Sequence, residues 1–469
     1  MADLAGGVKE FPGNVVVLGF GSIGSGLMPL LFDRFAEPRV GVVTSDDRNL
    51  DIAQEYDVEH HVEAITESSY AGILERHVSP GDFLVNLTVD VDSLDVMKWC
   101  AGADVLYIDT VIEPWAGYYT DERLPAYERS NSFLRQRVLD HRAAAGTGPT
   151  AIIAHGANPG LVNHFVKDAL LQIAAENGIE ASPRRRADWI ALARTLGIKV
   201  VHVAERDTQR SAAPKERGEF VNTWSVDGFI SEGCQPSELG WGAHEKMMPA
   251  DGNRNPGGSD AAIYLDQPGV MTRVRSWTPD EGPMHGWIIT HNESISIADY
   301  FSGPVDGELY RPTVHYAYHP CDAAVNSIHE LAGRNYVPQE RQRIIVDEVI
   351  DGVDELGVLL MGNDRGSLWY GSNLSIEEAR EAAPHNNATS LQVVAPVLAG
   401  MFWAIDNPEA GIVEADELPH DVIIDVCRPY LGRMVSAWTD WTPLEGRGVL
   451  FAEDVDSSDP WQFRNFRVS

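Results

Sequence analysis

Eight side chains in this sequence are of types that bind a cationic amine and move its protons. Carboxylates hold ammonium groups by charge-assisted hydrogen bonds, and an indole face attracts a cation for about 0.5 to 2 kcal/mol. A carboxylate or imidazole also serves as a general base, because removing a proton from an alkylammonium at pH 7 costs about 4.6 kcal/mol. The eight are Asp90, Glu113, Asn158, Glu205, Trp224, Glu232, His291 and Glu293.

Each of these residues also has a structural interpretation when taken alone. A tryptophan on a strand is usually part of a core, as Trp224 could be. Glu205 could pair with its neighbour Arg206, and His291 could be a buried structural group. Their functional interpretation therefore depends on elements that bring them to one place.

The strongest positioning signal is the segment 14–26, NVVVLGFGSIGSG, in which an apolar strand runs into a glycine-rich turn. Gly19 allows the tight turn, Gly21 allows backbone to approach a pyrophosphate, and Gly24 allows the next helix to pack on the strand. A helix from Ser22 would direct free N–H groups at the phosphates. This predicts a Rossmann dinucleotide site, although such a turn can also bind nothing.

The next apolar run, residues 39–44, ends in two acids. An acid about 20 residues after the glycine turn accepts a hydrogen bond from a ribose 2′-hydroxyl and repels a 2′-phosphate. Asp46 is the candidate, with Asp47 behind it, and it favours NAD over NADP. Arg48 lies close enough to weaken that preference.

Further strands are predicted at residues 81–90, 104–110 and 150–155. Strands separated by helices at this spacing indicate an α/β fold, a doubly wound parallel sheet, with residues 1–157 as the NAD-binding domain. The strand ends then add residues to the cofactor site, because carboxyl ends face the crevice. The predicted cofactor-binding residues are Gly19, Gly21, Ser22, Ile23, Gly24, Asp46, Thr88, Thr110 and Asn158.

Beyond residue 157 the pattern changes to β-rich segments with long polar connections. Residues 158–469 are therefore predicted to form a mixed α+β substrate-binding domain. The expected strands are residues 199–205, 220–230, 270–277 and 287–298, followed by a hairpin of 343–350 and 357–362 around the acidic turn 351–356. Residues 388–405 predict an apolar helix, which packs on that sheet or back on the Rossmann domain.

The amino-acid composition limits the classes of molecule that this chain is expected to bind. The chain has 36 basic and 70 acidic residues in 469, a net charge of −34, which argues against nucleic acid or an anionic membrane and suits a cationic ligand. Its four cysteines form no metal-ligand cluster and indicate a reduced, cytoplasmic protein without a metal site. We expect neither a transmembrane helix nor a secretory signal.

An ordered set of six motifs resembles the bacterial homospermidine synthases. They are GFGSIG at 19–24, IEPWAG at 112–117, HGANPG at 155–160, AERDTQ at 204–209, TWSVDGF at 223–229 and HNES at 291–294. The first motif fits any NAD enzyme, whereas the ordered set spans most of the chain and is specific.

The resemblance implies a fold like that of saccharopine reductases and a tightly bound, prosthetic NAD. It implies the conversion of two putrescines, or of spermidine plus putrescine, into sym-homospermidine by a homodimer. Trp224 matches the tryptophan that stabilises cationic intermediates, and Glu205 and Glu232 match acids that hold amines. The remaining matches are positions around the substrate and nicotinamide, namely Asp90, Glu113, Asn158, His291 and Glu293.

Two alternatives remain at this stage. One is an oxidoreductase of the same superfamily, like saccharopine reductase or carboxyspermidine dehydrogenase, whose carboxylated substrates require a basic residue in the site. The other is a non-catalytic NAD-binding protein, which has little use for polar residues at so many strand ends.

Overall fold

Two sheets organise the protein, whose computed structural model describes residues 7–468. The first sheet has seven parallel strands and the second has ten strands of mixed direction. The prediction of a doubly wound α/β unit joined to a mixed α+β unit is confirmed. The predictions that involve residues 1–6 lie outside the described residues.

The elements have the following bounds. The strands are β1 (Val15–Leu18), β2 (Val40–Thr44), β3 (Glu59–Val62), β4 (Phe83–Asn86), β5 (Leu106–Asp109), β6 (Ala151–Ile153), β7 (Val200–Asp207), β8 (Arg210–Ser211), β9 (Glu219–Asn222), β10 (Pro236–Gly240), β11 (Gly252–Arg254), β12 (Ala262–Pro268), β13 (Arg273–Thr278), β14 (Gly282–Trp287), β15 (Gly303–Val305), β16 (Glu308–Tyr310), β17 (Thr313–His319), β18 (Arg341–Ile344), β19 (Val349–Asp351), β20 (Val353–Asn363), β21 (Gly366–Ser375), β22 (Ile412–Glu414) and β23 (Arg433–Thr439). The helices are α1 (Ser22–Arg34), α2 (Leu50–Glu55), α3 (Tyr70–His77), α4 (Ser93–Ala103), α5 (Asn131–Ala145), α6 (Leu161–Glu176), α7 (Arg186–Thr195), α8 (Val226–Cys234), α9 (Asn292–Tyr300), α10 (Asp322–Gly333), α11 (Ile376–Ala382), α12 (Ala388–Asp406), α13 (His420–Cys427) and α14 (Phe463–Phe466).

The first sheet has the strand order β22, β6, β5, β4, β1, β2, β3. All four residues of β1 are buried, as expected for a parallel strand covered by helices on both faces. The strand order reverses between β1 and β4, and a crevice opens there at the carboxyl ends of the strands. The glycine turn after β1 and Thr88 after β4 both lie at this crevice.

The seventh strand, β22, comes from a distant part of the chain and pairs in parallel with β6. The sequence pattern predicted that this sheet ends before residue 157. It did not reveal β22, because a strand of three residues is too short to show a period. The chain therefore returns to its first sheet after building the second one.

In the second sheet, β7 is central, parallel to β17 and antiparallel to β20. The register places Tyr318 beside Glu205 and Asp354 beside Asp207. Polar residues of three neighbouring strands therefore meet at one end of β7.

Two segments predicted as strands are partly helical. Residues 287–298 contribute only Trp287 to a strand, and α9 follows. Residues 220–222 belong to β9, which pairs with β18 outside the ten-stranded sheet, and α8 begins at Val226. All residues from Asn292 to Ala298 are buried, polar ones included, so the polar residues do not mark an exposed face that would reveal the helical period.

The predicted hairpin is also wrong. β18 pairs in parallel with β9, whereas β20 pairs with β21 through a turn in which Gly366 has a φ of +123°. The acidic segment 351–356 is not a turn, because Asp354 and Glu355 are buried within β20.

The prediction of an apolar helix at residues 388–405 is confirmed by α12. This helix packs against α1, α13 and β5, and it also contacts β20 of the second sheet. Its length and composition would suffice to cross a membrane, but most of its surface is buried inside the protein.

A buried ion cluster joins distant parts of the chain. Arg135 on α5 donates to both carboxylate oxygens of Glu414 at 2.6 and 2.8 Å and to Asp299 on α9 at 2.9 Å. The Arg135 side chain is only 6% exposed. Removing one partner of such a cluster leaves buried charge uncompensated, which typically costs about 3 to 5 kcal/mol.

Arg135→Met should lower the free energy of unfolding by about 3 kcal/mol, measured by urea denaturation. Arg142→Met is the matched control, because Arg142 lies on the same helix and pairs with Glu417 at a more exposed position. The control should lose less than about 1 kcal/mol. Equal losses in the two variants would contradict a special role for the buried cluster.

Candidate active site

A cavity of about 130 Å³ opens where the strand ends of the first sheet face β7 and β17. Both halves of the chain contribute to its wall, as binding clefts at topological switch points commonly do. The polar and aromatic lining residues are Thr88, Thr110, Glu113, Asn158, Glu205, Trp224, Ser225, Glu232, His291, Tyr316 and Thr389.

Glu205 lies at the centre of this wall, on β7. Its Oε2 accepts hydrogen bonds from Asn158 Nδ2 at 3.0 Å and from the Tyr316 hydroxyl. Burial raises the pKa of Glu205 to about 8, against the opposing effect of the Tyr316 hydrogen bond. The group is therefore mostly protonated near neutral pH until a cation approaches it.

Two stacked tyrosines on β17 hold the neighbouring tryptophan. The rings of Tyr316 and Tyr318 lie 5.1 Å apart and parallel, since residues two apart share one face of a strand. Trp224 Nε1 donates to the Tyr318 hydroxyl at 3.2 Å, and its ring contacts Phe229. These contacts fix the indole ring while it lines the cavity.

His291 lies between two acids. Its Nε2 is 3.0 Å from Glu232, and its Nδ1 is 3.5 Å from Glu293. Burial would lower the pKa of His291, but the two carboxylates raise it well above its ordinary value. The imidazole is therefore a cation that neutralises part of the surrounding negative charge.

Two further acids, Glu113 and Asp90 from the first half of the chain, lie near this group. Burial raises the pKa of Glu113 well above its ordinary value, and the nearby carboxylates of Glu232 and Asp90 raise it further. One oxygen of Glu113 is buried without a hydrogen-bond partner among the described residues. Burial likewise raises the pKa of Asp90, which lines the adjoining cleft.

The chemistry of the cavity is that of a cation site. Acids and an indole line it, and among residues 7–468 no lysine or arginine does. The one cationic group in the described wall is His291, which already lies between Glu232 and Glu293, so a substrate carboxylate would find no unpaired cation, whereas an ammonium group would find several acids.

A second cleft of about 320 Å³ runs from the glycine turn past the ends of β2 and β4. Gly19 has a φ of +87°, and a Cβ on Gly24 would collide with the carbonyl oxygen of Gly19. A Cβ on Gly21 would meet nothing within 4 Å, so open space faces the start of α1. These features fit the pyrophosphate of a dinucleotide.

Asp46, the acid that follows β2, is paired with Arg48. Both carboxylate oxygens of Asp46 accept hydrogen bonds from the Arg48 guanidinium, at 3.0 and 2.7 Å. The Arg48 side-chain hydrogen bond lowers the pKa of Asp46. Arg48 thus offsets part of the repulsion by which Asp46 would exclude a 2′-phosphate.

The second half of the chain closes over this cleft. Ser225, Val226 and Asp227 at the start of α8 line it, together with Gln342 and Ile344 of β18. Gln342 Nε2 donates to Asp227, which links the two elements. The cavity and the cleft share Ile23, Leu87, Thr88, Val89 and Ser225, so the two spaces lie on either side of a common wall.

Comparisons with known proteins agree with this architecture. A model of the saccharopine dehydrogenase NADP binding domain matches residues 15–152, and one of the saccharopine dehydrogenase C-terminal domain matches residues 156–440. The homospermidine synthase of Mesorhizobium japonicum is 48% identical over 473 residues, covering 98% of this chain and 97% of the relative. The homospermidine synthase of Blastochloris viridis is 50% identical over 464 residues, covering 97% of each. The chain belongs to the homospermidine synthase family.

A solved structure supports the same assignment. The crystal structure of homospermidine synthase from Legionella pneumophila in complex with NAD superimposes with a TM-score of 0.92 at 48% identity. The match covers 98% of this chain and 99% of that one. The resemblance found in the six motifs is therefore confirmed at the level of family and fold.

In this member of the homospermidine synthase family, the predicted site residues divide between the two spaces. The cavity collects Glu113, Asn158, Glu205, Trp224, Glu232 and His291, together with Ile23, Thr88 and Thr110. The cleft is lined by Gly19, Gly21, Ser22, Ile23, Gly24, Asp46, Thr88 and Asp90. Glu293 lies outside both walls, completely buried behind His291.

Sequence reasoning missed several residues of these walls and their support, among them Ser225, Thr389, Tyr316, Tyr318, Asp227 and Gln342. The segment TVHYAYH alternates aromatic and other residues, which would have placed both tyrosines on one face of a strand. No comparable signal marks Asp227 or Gln342, because their position depends on how the two sheets meet.

Glu205→Gln should raise the thermal unfolding midpoint of the ligand-free protein, more at about pH 8.5 than at about pH 5. The folded pKa of about 8 lies above the unfolded value of about 4.5, so this carboxyl costs stability increasingly as pH rises between them. We expect the stabilisation to be larger at the higher pH by on the order of 4 kcal/mol. Exposed Glu122→Gln is the control, and a pH-independent effect at Glu205 would contradict the raised pKa.

Proposed function

We propose that this chain is an NAD-dependent homospermidine synthase, a transferase that converts two putrescines, or spermidine plus putrescine, into sym-homospermidine. The observation that carries the proposal is that the cavity lined by acids and a tryptophan directly adjoins the dinucleotide cleft. The specific reaction is proposed because the Mesorhizobium and Blastochloris relatives are homospermidine synthases.

The proposed cofactor is NAD, held by Gly19, Gly21, Ser22, Ile23 and Gly24. When bound, NAD would take up and return the hydride that no side chain can carry. The NAD complex of the Legionella relative supports this choice more strongly than Asp46 does, because Arg48 shares the charge of that acid. Asp227 and Gln342 reach over the cleft, and closure of this kind favours a cofactor that stays bound through the cycle.

Glu205 is our candidate for the proton acceptor at the reacting amine. The approach of an ammonium group favours the carboxylate form, and a pKa raised toward 8 suits a group that must then accept a proton. Asn158 and Tyr316 keep the accepting oxygen in place through their hydrogen bonds.

The next species is an iminium cation, and the cavity wall is suited to it. Trp224 offers the π face of its fixed indole, while Glu232 adds negative charge nearby. Glu113 is the candidate for the second, remote ammonium group, because its buried oxygen lacks a hydrogen-bond partner among residues 7–468.

A second amine then attacks the iminium carbon to give a geminal diamine, which loses ammonia and becomes a new imine. The hydride taken up in the first step would be returned to this imine and give the secondary amine. His291, held between Glu232 and Glu293, is placed to donate and recover a proton during this exchange. A narrow cavity also limits hydrolysis of the imine by water. The cycle has no net redox change, which makes the enzyme a transferase.

We further propose a division into a cofactor domain, residues 1–157, and a substrate domain, residues 158–469, with β22 and α12 returning to the first sheet. A homodimer and a cytoplasmic location, without nucleic acid or membrane as partner, complete the proposal. The four cysteines are free thiols, and three of them are buried, which suits a reducing compartment.

The purified chain, incubated with putrescine and a catalytic amount of NAD, should form homospermidine and ammonia without net accumulation of NADH. With putrescine deuterated beside both nitrogens and unlabelled NADH added to the medium, the product should retain every deuterium if the cofactor stays bound. Net NADH consumption or production would indicate the oxidoreductase alternative. Binding of NAD without any amine turnover would indicate a non-catalytic protein.

Trp224→Phe should retain much of the turnover, whereas Trp224→Ala should lose about 10-fold to 30-fold, corresponding to about 1.4 to 2 kcal/mol of cation–π stabilisation. Steady-state kinetics with putrescine measures both. Equal turnover by the two variants and the parent would exclude a role for the indole face.

A further inference from the structure

A group of histidines and acids lies at the outer edge of the first sheet, away from the amine cavity. Residues Glu59, His61 and Glu63 alternate along β3 and its end and therefore share one face of the strand. His77, the last residue of α3, approaches the same face. We call Glu59, His61, Glu63 and His77 the edge cluster.

The side chains of the edge cluster already converge. His77 Nε2 lies 2.8 Å from Glu63 Oε1, and His61 Nε2 lies 3.1 Å from Glu59 Oε1. The rings of His61 and His77 have their centroids 4.1 Å apart and are tilted by 36° to each other. One donor atom each of His61, Glu63 and His77 falls within 4.8 Å of the others, and these residues are the one such group within residues 7–468.

The donor types match a borderline transition metal. Imidazole nitrogen and carboxylate oxygen are ligands of Zn²⁺, which prefers a tetrahedral arrangement with its ligand atoms about 3.4 Å apart. The three residues are partly exposed, with side-chain exposures of 14 to 33%. Closing the present spacing requires shifts of about 1 Å, which rotation of such side chains supplies.

Arg76 orients the Glu63 carboxylate from behind. It binds Oε2 of Glu63, which leaves Oε1 facing His77 Nε2 at 2.8 Å. A metal ion would replace the proton between Oε1 and Nε2.

We propose that the edge cluster is a binding site for one Zn²⁺ ion, with His61, Glu63 and His77 as ligands and Glu59 beside them. This site goes beyond the proposed amine chemistry and beyond the expectation, based on cysteine spacing, that the chain has no metal site. Its oxygen and imidazole donors distinguish it from a Mg²⁺ site, which would use oxygen ligands only.

The position of the site indicates its effect on the protein. β3 is the edge strand of the first sheet and is held there only by β2. Glu63 and the two residues after it line the dinucleotide cleft. An ion joining β3 to the end of α3 would stiffen this edge of the sheet and the cleft wall that continues from it.

The test is a titration of the chelator-treated, full-length protein with Zn²⁺, followed by isothermal calorimetry and by the thermal unfolding midpoint. The parent should bind one ion at the edge cluster and show a raised midpoint in Zn²⁺, since a ligand of the native state stabilises it. Excess Mg²⁺ should not compete. His61→Gln and His77→Gln should each weaken binding at least about tenfold.

His60→Gln is the matched control, because His60 lies on the same strand but on its opposite face. This variant should bind Zn²⁺ and gain stability as the parent does. The proposal is overturned if the parent binds no Zn²⁺ at micromolar concentrations, or if His61→Gln and His77→Gln bind it as tightly as His60→Gln.

Discussion

Burial of several carboxyl groups around one small cavity is the constraint on which the rest of the structure depends. Glu113 and Glu205 are each only 3% exposed, and burial raises the pKa of each. Within the described cavity wall, the one compensating cation is His291, which is already shared between Glu232 and Glu293. Such an arrangement is unfavourable for folding and becomes favourable when an ammonium group enters. The arrangement thus favours binding of a cationic ligand, and it lowers the folding stability of the ligand-free protein.

The fold keeps these groups together by joining its two sheets at several points. β22 and α12 return from the far end of the chain to the first sheet, and Arg135 binds acids from two other elements. The stacked tyrosines of β17 position both Glu205 and Trp224. Asp227 and Gln342 extend the second half over the dinucleotide cleft. The cavity and the dinucleotide cleft therefore adjoin each other, and the walls of both come from both halves of the chain.

Local sequence patterns predicted the parts of this design that local physics determines. The glycine turn needs a positive φ at Gly19 and close packing at Gly24, and residues following β4 and β5 lie at the crevice, as strand topology requires. Prediction from local patterns failed where an element is buried or pairs with residues far away in the sequence. Residues 292–298 of α9 are all buried, so their polar residues do not reveal a helical period, and β22 is too short to show a strand period. Asp227 and Gln342 acquire their position only when the two sheets meet, which no local pattern encodes.

The most direct test of the central claim is the number of protons released when putrescine binds to the cofactor-free protein at pH 7. Calorimetric titrations in buffers of different ionisation enthalpy measure this number without turnover. We expect release of about one proton per diamine, because the arriving ammonium groups ionise Glu205 and its buried neighbours. The release should fall markedly in Glu205→Gln. Binding without proton release, or equal release by parent and variant, would contradict a cavity of protonated acids that ionise for a cationic substrate.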